Sequence, residues 1–121
     1  MTQERHKSIK RAQKESLLLK EISGLLLQLA LDVPELRDLH VSRVKLSPDK
    51  GICTVLFYTA AGQEAFQEKM PTLILYKPSL RHALAKKITS RYTPEIVFRY
   101  DKQFEKQQRI ETLLNTIKTK E

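Results

Sequence analysis

The stretch Val41-Ser42-Arg43-Val44-Lys45-Leu46-Ser47-Pro48-Asp49-Lys50-Gly51-Ile52-Cys53-Thr54-Val55-Leu56-Phe57-Tyr58-Thr59 decides the fold. Its first half, from Leu39 to Leu46, is rich in β-branched and apolar residues and predicts a strand. The alternation changes parity between Val41 and Val44, which implies a bulge or burial on both faces. Ser47-Pro48-Asp49-Lys50-Gly51 is a turn signal, because proline presets φ and the Ser and Asp side chains bond their own backbone. Ile52 to Thr59 then reads as a continuous apolar strand. Two such runs about a short glycine-containing turn make a β-hairpin.

Upstream, from Lys7 to Leu31, apolar residues recur at helical spacing: Ile9, Ala12, Leu19, Ile22, Leu26 and Leu29, widened by Leu18 and Leu25. Ser16 interrupts that face and Gly24 costs about 1 kcal/mol relative to alanine, neither enough to break so long a run. Asp32-Val33-Pro34 stops it, since a residue before proline avoids α geometry. Downstream, Gly62 to Ile88 has two apolar sets, Ala65, Phe66, Met70, Leu73, Leu75 and then Leu80, Ala83, Leu84, Ile88. Pro78 lies between the sets, removes a backbone donor and clashes with the preceding turn, which predicts two helices split there. Glu95 to Tyr100 is a third strand. A last amphipathic helix carries Ile110, Leu113, Leu114 and Ile117 on one face.

The order is helix, strand, strand, kinked helix pair, strand, helix. A helical crossover between the second and third strands permits parallel pairing, so the expectation is an α+β domain with a three-stranded mixed sheet and a C-terminal helix. At 121 residues the chain suits one domain. Its core would span about 7–101, with 102–121 as C-terminal helix and tail.

Composition narrows the partners. The chain has 22 Lys+Arg against 14 Asp+Glu, a net charge of +8, which points to a polyanion. Cys53 is the single cysteine, so neither an internal disulfide nor a multi-cysteine zinc site forms. The polar start and the shortness of the run Leu25 to Leu31 predict neither a signal peptide nor a membrane span, hence a cytoplasmic protein.

Catalysis finds little support. His6, His40 and His82 are scattered, at no metal-ligand spacing, and there is no glycine-rich phosphate loop. Cys53 in a buried strand behaves as a small hydrophobe. Ser47, Asp49 and His40 fall near one hairpin, but a turn accounts for Ser-Pro-Asp. No cofactor, metal or small-molecule substrate is expected. The basic residues are the positive signal. Between Lys77 and Pro94 stand Lys77, Arg81, Lys86, Lys87 and Arg91, with His82 and no acid. Solvated surfaces usually intersperse both signs, and this window does not. Lys7, Lys10, Arg11 and Lys14 form a second set on the first helix, where Glu15 and Glu21 accompany them. Tyr76 and Tyr92 flank the main window, either to stack on bases or to pack under the sheet.

These segments, in this order and spacing, resemble the ribosome-binding factor A family along almost the whole chain. The resemblance rests on Lys20-Glu21-Ile22-Ser23, Asp32-Val33-Pro34-Glu35-Leu36, Val41 to Asp49, Leu80-Arg81-His82-Ala83-Leu84-Ala85-Lys86-Lys87-Ile88, Arg91-Tyr92-Thr93-Pro94-Glu95-Ile96-Val97-Phe98-Arg99-Tyr100-Asp101 and Arg109-Ile110-Glu111-Thr112-Leu113-Leu114. It implies a type-II KH-like fold. It also implies a monomeric assembly factor that binds the small (30S) subunit and its 16S rRNA and assists late maturation and precursor processing, including in the cold. Lys77, Arg81, Lys86, Lys87 and Arg91 would then grip phosphates around the kink, supported by Lys7, Lys10, Arg11 and Lys14. The open alternatives are a protein-recruiting module with secondary RNA binding, and an enzyme acting on rRNA. Two positions depart from the family. Tyr76-Lys77-Pro78 stands at the kink where an Ala-x-Gly motif is usual, and Gln107-Gln108 replaces a glycine ahead of Arg109.

Overall fold

The computed structural model describes residues 2–88 and 92–120, with side chains described for 9–88 and 92–117. The elements are α1 (Thr2–Asp32), a short 3-10 turn (Pro34–Leu36), β1 (His40–Leu46), β2 (Ile52–Tyr58), α2 (Gln63–Lys87), β3 (Glu95–Tyr100) and α3 (Lys102–Lys120). The sheet order is β1-β2-β3, with β1 antiparallel and β3 parallel to β2. This is an α+β fold with a three-stranded mixed sheet, in which α2 supplies the crossover that parallel pairing of β2 and β3 needs.

The bulge implied by the parity change is present. Val41 pairs with Phe57 and Arg43 with Leu56, so Ser42 is the extra residue. The slip lets Val41, Val44 and Leu46 all turn toward the helices, where they pack into the core. Cys53, Val55 and Phe57 from β2 meet Ile96, Phe98 and Tyr100 from β3 beneath Leu18, Ile22 and Leu25 of α1. Phe57 sits 5.6 Å from both Phe66 and Phe98 by ring centroid, joining α2 to the middle of the sheet.

Two expectations about the helices need correction. The segment 62–88 is not split at Pro78. Helix α2 runs unbroken from Gln63 to Lys87 with Pro71 and Pro78 inside it. Each proline deletes one helical N–H, a cost of about 3 kcal/mol. Both rings face solvent, while Phe66, Leu73, Leu80 and Leu84 on the opposite side are buried against the sheet. Burying a leucine contributes about 1.5–3 kcal/mol, so the common sheet floor holds both halves in one helix. Its start is set by Gly62, whose φ of 95° lies where a side chain is strained. In α1 the apolar periodicity overreaches: Ile9 and Ala12 are exposed, and burial begins at Leu18. The helix also begins earlier than Lys7, at Thr2.

Asp101 locks the far end of the sheet. Its carboxylate accepts from Arg43 Nε at 2.8 Å and Nη2 at 2.9 Å, and from the Ser42 hydroxyl at 2.7 Å. Its Oδ1 also accepts the Phe104 amide at 3.0 Å, which caps α3. Burial pushes this carboxyl up. The Arg43 hydrogen bond, the Phe104 amide and the Ser42 hydroxyl more than offset that, leaving it at about 2. Phe104 lies edge-on to Tyr58 at 5.0 Å. Beyond this anchored start α3 leaves the core. Its apolar face, Ile110, Leu113, Leu114 and Ile117, is 50 to 64% exposed.

Candidate nucleic-acid interface

Three elements bring cations to one end of the molecule. At that end Glu15 of α1 accepts the backbone N–H of Leu46 at 2.7 Å, fixing the last residue of β1 beside the helix. One turn further toward the N-terminus are Arg11 and Lys10, and Lys14 is adjacent; Lys10 is exposed and the other two are half-buried. The hairpin turn follows directly from Leu46 and carries exposed Lys50. Gly51 O accepts the Glu95 N–H at 2.9 Å, which ties the turn to the start of β3. Lys86 and Lys87 occupy the last turn of α2, where cations also suit the helix dipole.

The basic window does not present itself as one face. Lys77 is half-buried, with Nζ 5.5 Å from the centroid of the Phe98 ring, a cation–π contact with the core. Arg81 donates from Nη2 to Thr93 O at 3.1 Å and from Nε to Pro94 O at 3.4 Å, bracing the segment that enters β3. Lys87 turns the other way, 3.7 Å from Glu21 of α1. Lys86 is exposed. Arg91 lies outside the described residues, as does the side chain of Lys7.

Pro78, Arg81, His82, Ala85, Tyr92 and Thr93 line an open groove between α2 and the approach to β3. Tyr92 is 75% exposed there, so it does not pack under the sheet and offers an aromatic face beside two basic side chains. Tyr76 faces away, lining the cleft between α1 and α2 with Leu25, Leu29 and Asp32. Of the residues read as a kink, Tyr76 therefore packs on α1, Lys77 lies over the core and Pro78 lines the groove.

No group of three or more His, Cys, Asp or Glu among the described residues is placed to hold a metal. Cys53 is buried, and burial followed by the Glu15 charge pushes its thiol up to about 11, far from a nucleophile's range. Ser47 and Asp49 spend their polar atoms on the turn, and His40 sits at the opposite end of β1. No described helix is long and apolar enough to cross a membrane. Lys50 is the residue that reading the charge windows missed: it is a single cation next to Asp49, and only the three-dimensional approach of the turn to α1 and β3 gives it company.

The family model for "Ribosome-binding factor A" matches residues 10–114. A ribosome-binding factor A of Prochlorococcus marinus (strain MIT 9301) is 35% identical over 111 residues, covering 90% of this chain and 85% of the relative. That of Geotalea uraniireducens is 31% identical over 115 residues, covering 93% and 92%. The crystal structure of ribosome-binding factor A from Thermus thermophilus superposes with a TM-score of 0.64 at 26% identity, over 74% of this chain and 93% of that one. The sheet order, the helical crossover and the spacing of the sequence segments thus coincide with one family: the chain belongs to the ribosome-binding factor A family, with its KH-like fold.

Proposed function

We propose that this chain is a non-catalytic assembly factor of the small (30S) ribosomal subunit that binds 16S rRNA. It assists late maturation and rRNA processing, including at low temperature, as a cytoplasmic monomer. The carrying observation is the convergence of α1, the hairpin turn and the end of α2 at one cationic end. Phosphates would meet Lys10, Arg11, Lys14, Lys86, Lys87, Lys7 and Arg91, while Arg81 braces the groove in which Tyr92 stands and Lys77 lies over the core beside it. Binding of this kind favours one rRNA conformation over its competitors by differential affinity.

A sedimentation experiment tests the reading without disturbing the fold. The double variant Lys10→Glu/Lys86→Glu changes two exposed side chains. Tagged wild-type protein is expected to travel with free small subunits and the variant to remain at the top of the gradient, at equal melting temperature. Unchanged co-sedimentation of the variant overturns the site. A second reading, a protein-recruiting module, draws on one observation, the exposed stripe Ile110, Leu113, Leu114 and Ile117. Leu113→Glu/Leu114→Glu separates the two: the leading reading expects it to leave RNA binding intact.

A further inference from the structure

Lys50 has φ 61°, the sole positive value at a non-glycine residue among the described residues. Left-handed geometry strains a lysine, whereas glycine or asparagine adopts it readily. Glycine stands next door at Gly51, not at the strained position. The turn around it is closed by bonds that leave the lysine side chain unused. Ser47 Oγ donates to Asp49 Oδ1 at 2.6 Å, the Gly51 N–H to the same oxygen at 2.9 Å, and the Ile52 N–H to Ser47 Oγ at 2.9 Å. The Lys50 N–H donates to Ser47 O at 2.8 Å. The Lys50 side chain is exposed. A glycine would make the same turn with less strain, so the turn itself gives no reason for a lysine. Strained residues that a rigid frame over-determines gather at functional positions.

The position supplies the reason. The Glu15 bond to Leu46 N and the Gly51 bond to Glu95 N seat the turn between the cations of α1 and the start of β3. Acids nearby are largely committed: Glu15 to Leu46 N, Glu21 to Lys87, Asp49 to the turn itself; Glu95 is exposed at the edge. We propose that the hairpin turn is a third wall of the RNA interface and that Lys50 is its preset phosphate contact. The Ser47–Asp49 network acts as the positioning frame. The proposal rests on the reading that the chain binds rRNA, and names a contact within that site.

Because strain and charge reside in one residue, they separate under substitution. Lys50→Gly, Lys50→Arg and Ser47→Ala are compared with wild type for binding purified small subunits and a labelled single-stranded RNA of mixed sequence, over a range of salt. Lys50→Gly is expected to melt at or above the wild-type temperature. It is expected to bind about fivefold more weakly near 0.1 M salt, its log K–log salt slope shallower by about 0.7, the share of one phosphate. Lys50→Arg is expected to bind like wild type. Ser47→Ala is expected to weaken binding with the slope unchanged, because the cation stays and its placement is loosened. Wild-type affinity and slope in Lys50→Gly overturn the contact. Loss of both binding and melting temperature in Lys50→Gly and Lys50→Arg overturns it too, in favour of a purely structural turn. Wild-type affinity in Ser47→Ala overturns the positioning frame. Failure of the wild-type protein to bind either probe is a separate result, against the assembly-factor reading itself.

Discussion

Replacing Asp101 by asparagine removes one buried negative charge from the junction of β1, β3 and α3 while keeping an oxygen that caps the helix. In the folded chain the carboxyl sits at about 2 against an ordinary 3.8. That difference, at about 1.36 kcal/mol per unit, makes the ionised Asp101 worth about 2 kcal/mol of stability. The sign follows from the direction: a lowered carboxyl pKa stabilises in full above 3.8, and the gain is lost as pH falls through about 2. Urea unfolding of wild type and Asp101→Asn at pH 7, 5, 3 and 2 reads this directly. The variant is expected to be less stable by about 2 kcal/mol at pH 7 and 5, with the gap closing toward zero at pH 2. A gap as wide at pH 2 as at pH 7 would refute the reasoning, because the loss would then come from packing or the cap and not from the charge paired with Arg43.

Pro78→Ala restores a helical N–H on the solvent side of α2 and is expected to raise stability by about 1–3 kcal/mol, checked by denaturant midpoint; a fall in stability would mean that the proline geometry is needed for packing. At Gly24 an added Cβ meets no atom within 4 Å apart from its chain neighbours and the backbone of its own helix. Gly24→Ala is therefore expected to stabilise α1 by about 1 kcal/mol, and a lower melting temperature would contradict the open space around it.

The parts of the fold that were legible in the sequence are those whose cause is local. Parity between Val41 and Val44 carried the bulge, because side-chain alternation along a strand is fixed by the backbone. Ser-Pro-Asp-Lys-Gly carried the turn, and Val33-Pro34 the end of α1. What escaped depends on distant residues. The continuity of α2 through Pro78 is not legible locally, because the cost of a proline is local while the compensation, burial of Leu73, Leu80 and Leu84, comes from the sheet. Asp101 escaped because Ser42 and Arg43, its partners, lie on another strand almost sixty positions away. Periodicity also cannot say who covers an apolar stripe: leucines at helical spacing stand in the first and the last helix alike, yet Leu18 is buried and Leu113 bare.

The candidate site was legible as charge and illegible as geometry, and the difference lies in what each cation does at home. Arg43, Lys77 and Arg81 are equal to any other cation in a count, but they spend their charge inward, on Asp101, on Phe98 and on the carbonyls of Thr93 and Pro94. In doing so they fix the bulge, the floor beneath α2 and the entry to β3. Lys10, Lys50 and Lys86 spend nothing comparable and stand exposed on the frame that the first three hold. A polyanion gains most from cations whose positions are already determined, since ordering a long side chain on binding costs about 0.5–1.5 kcal/mol. On the proposed reading, the inward-bonded cations would serve binding by holding that frame. Substituting one of them will lower stability and affinity together, while substituting an outward one will lower affinity alone.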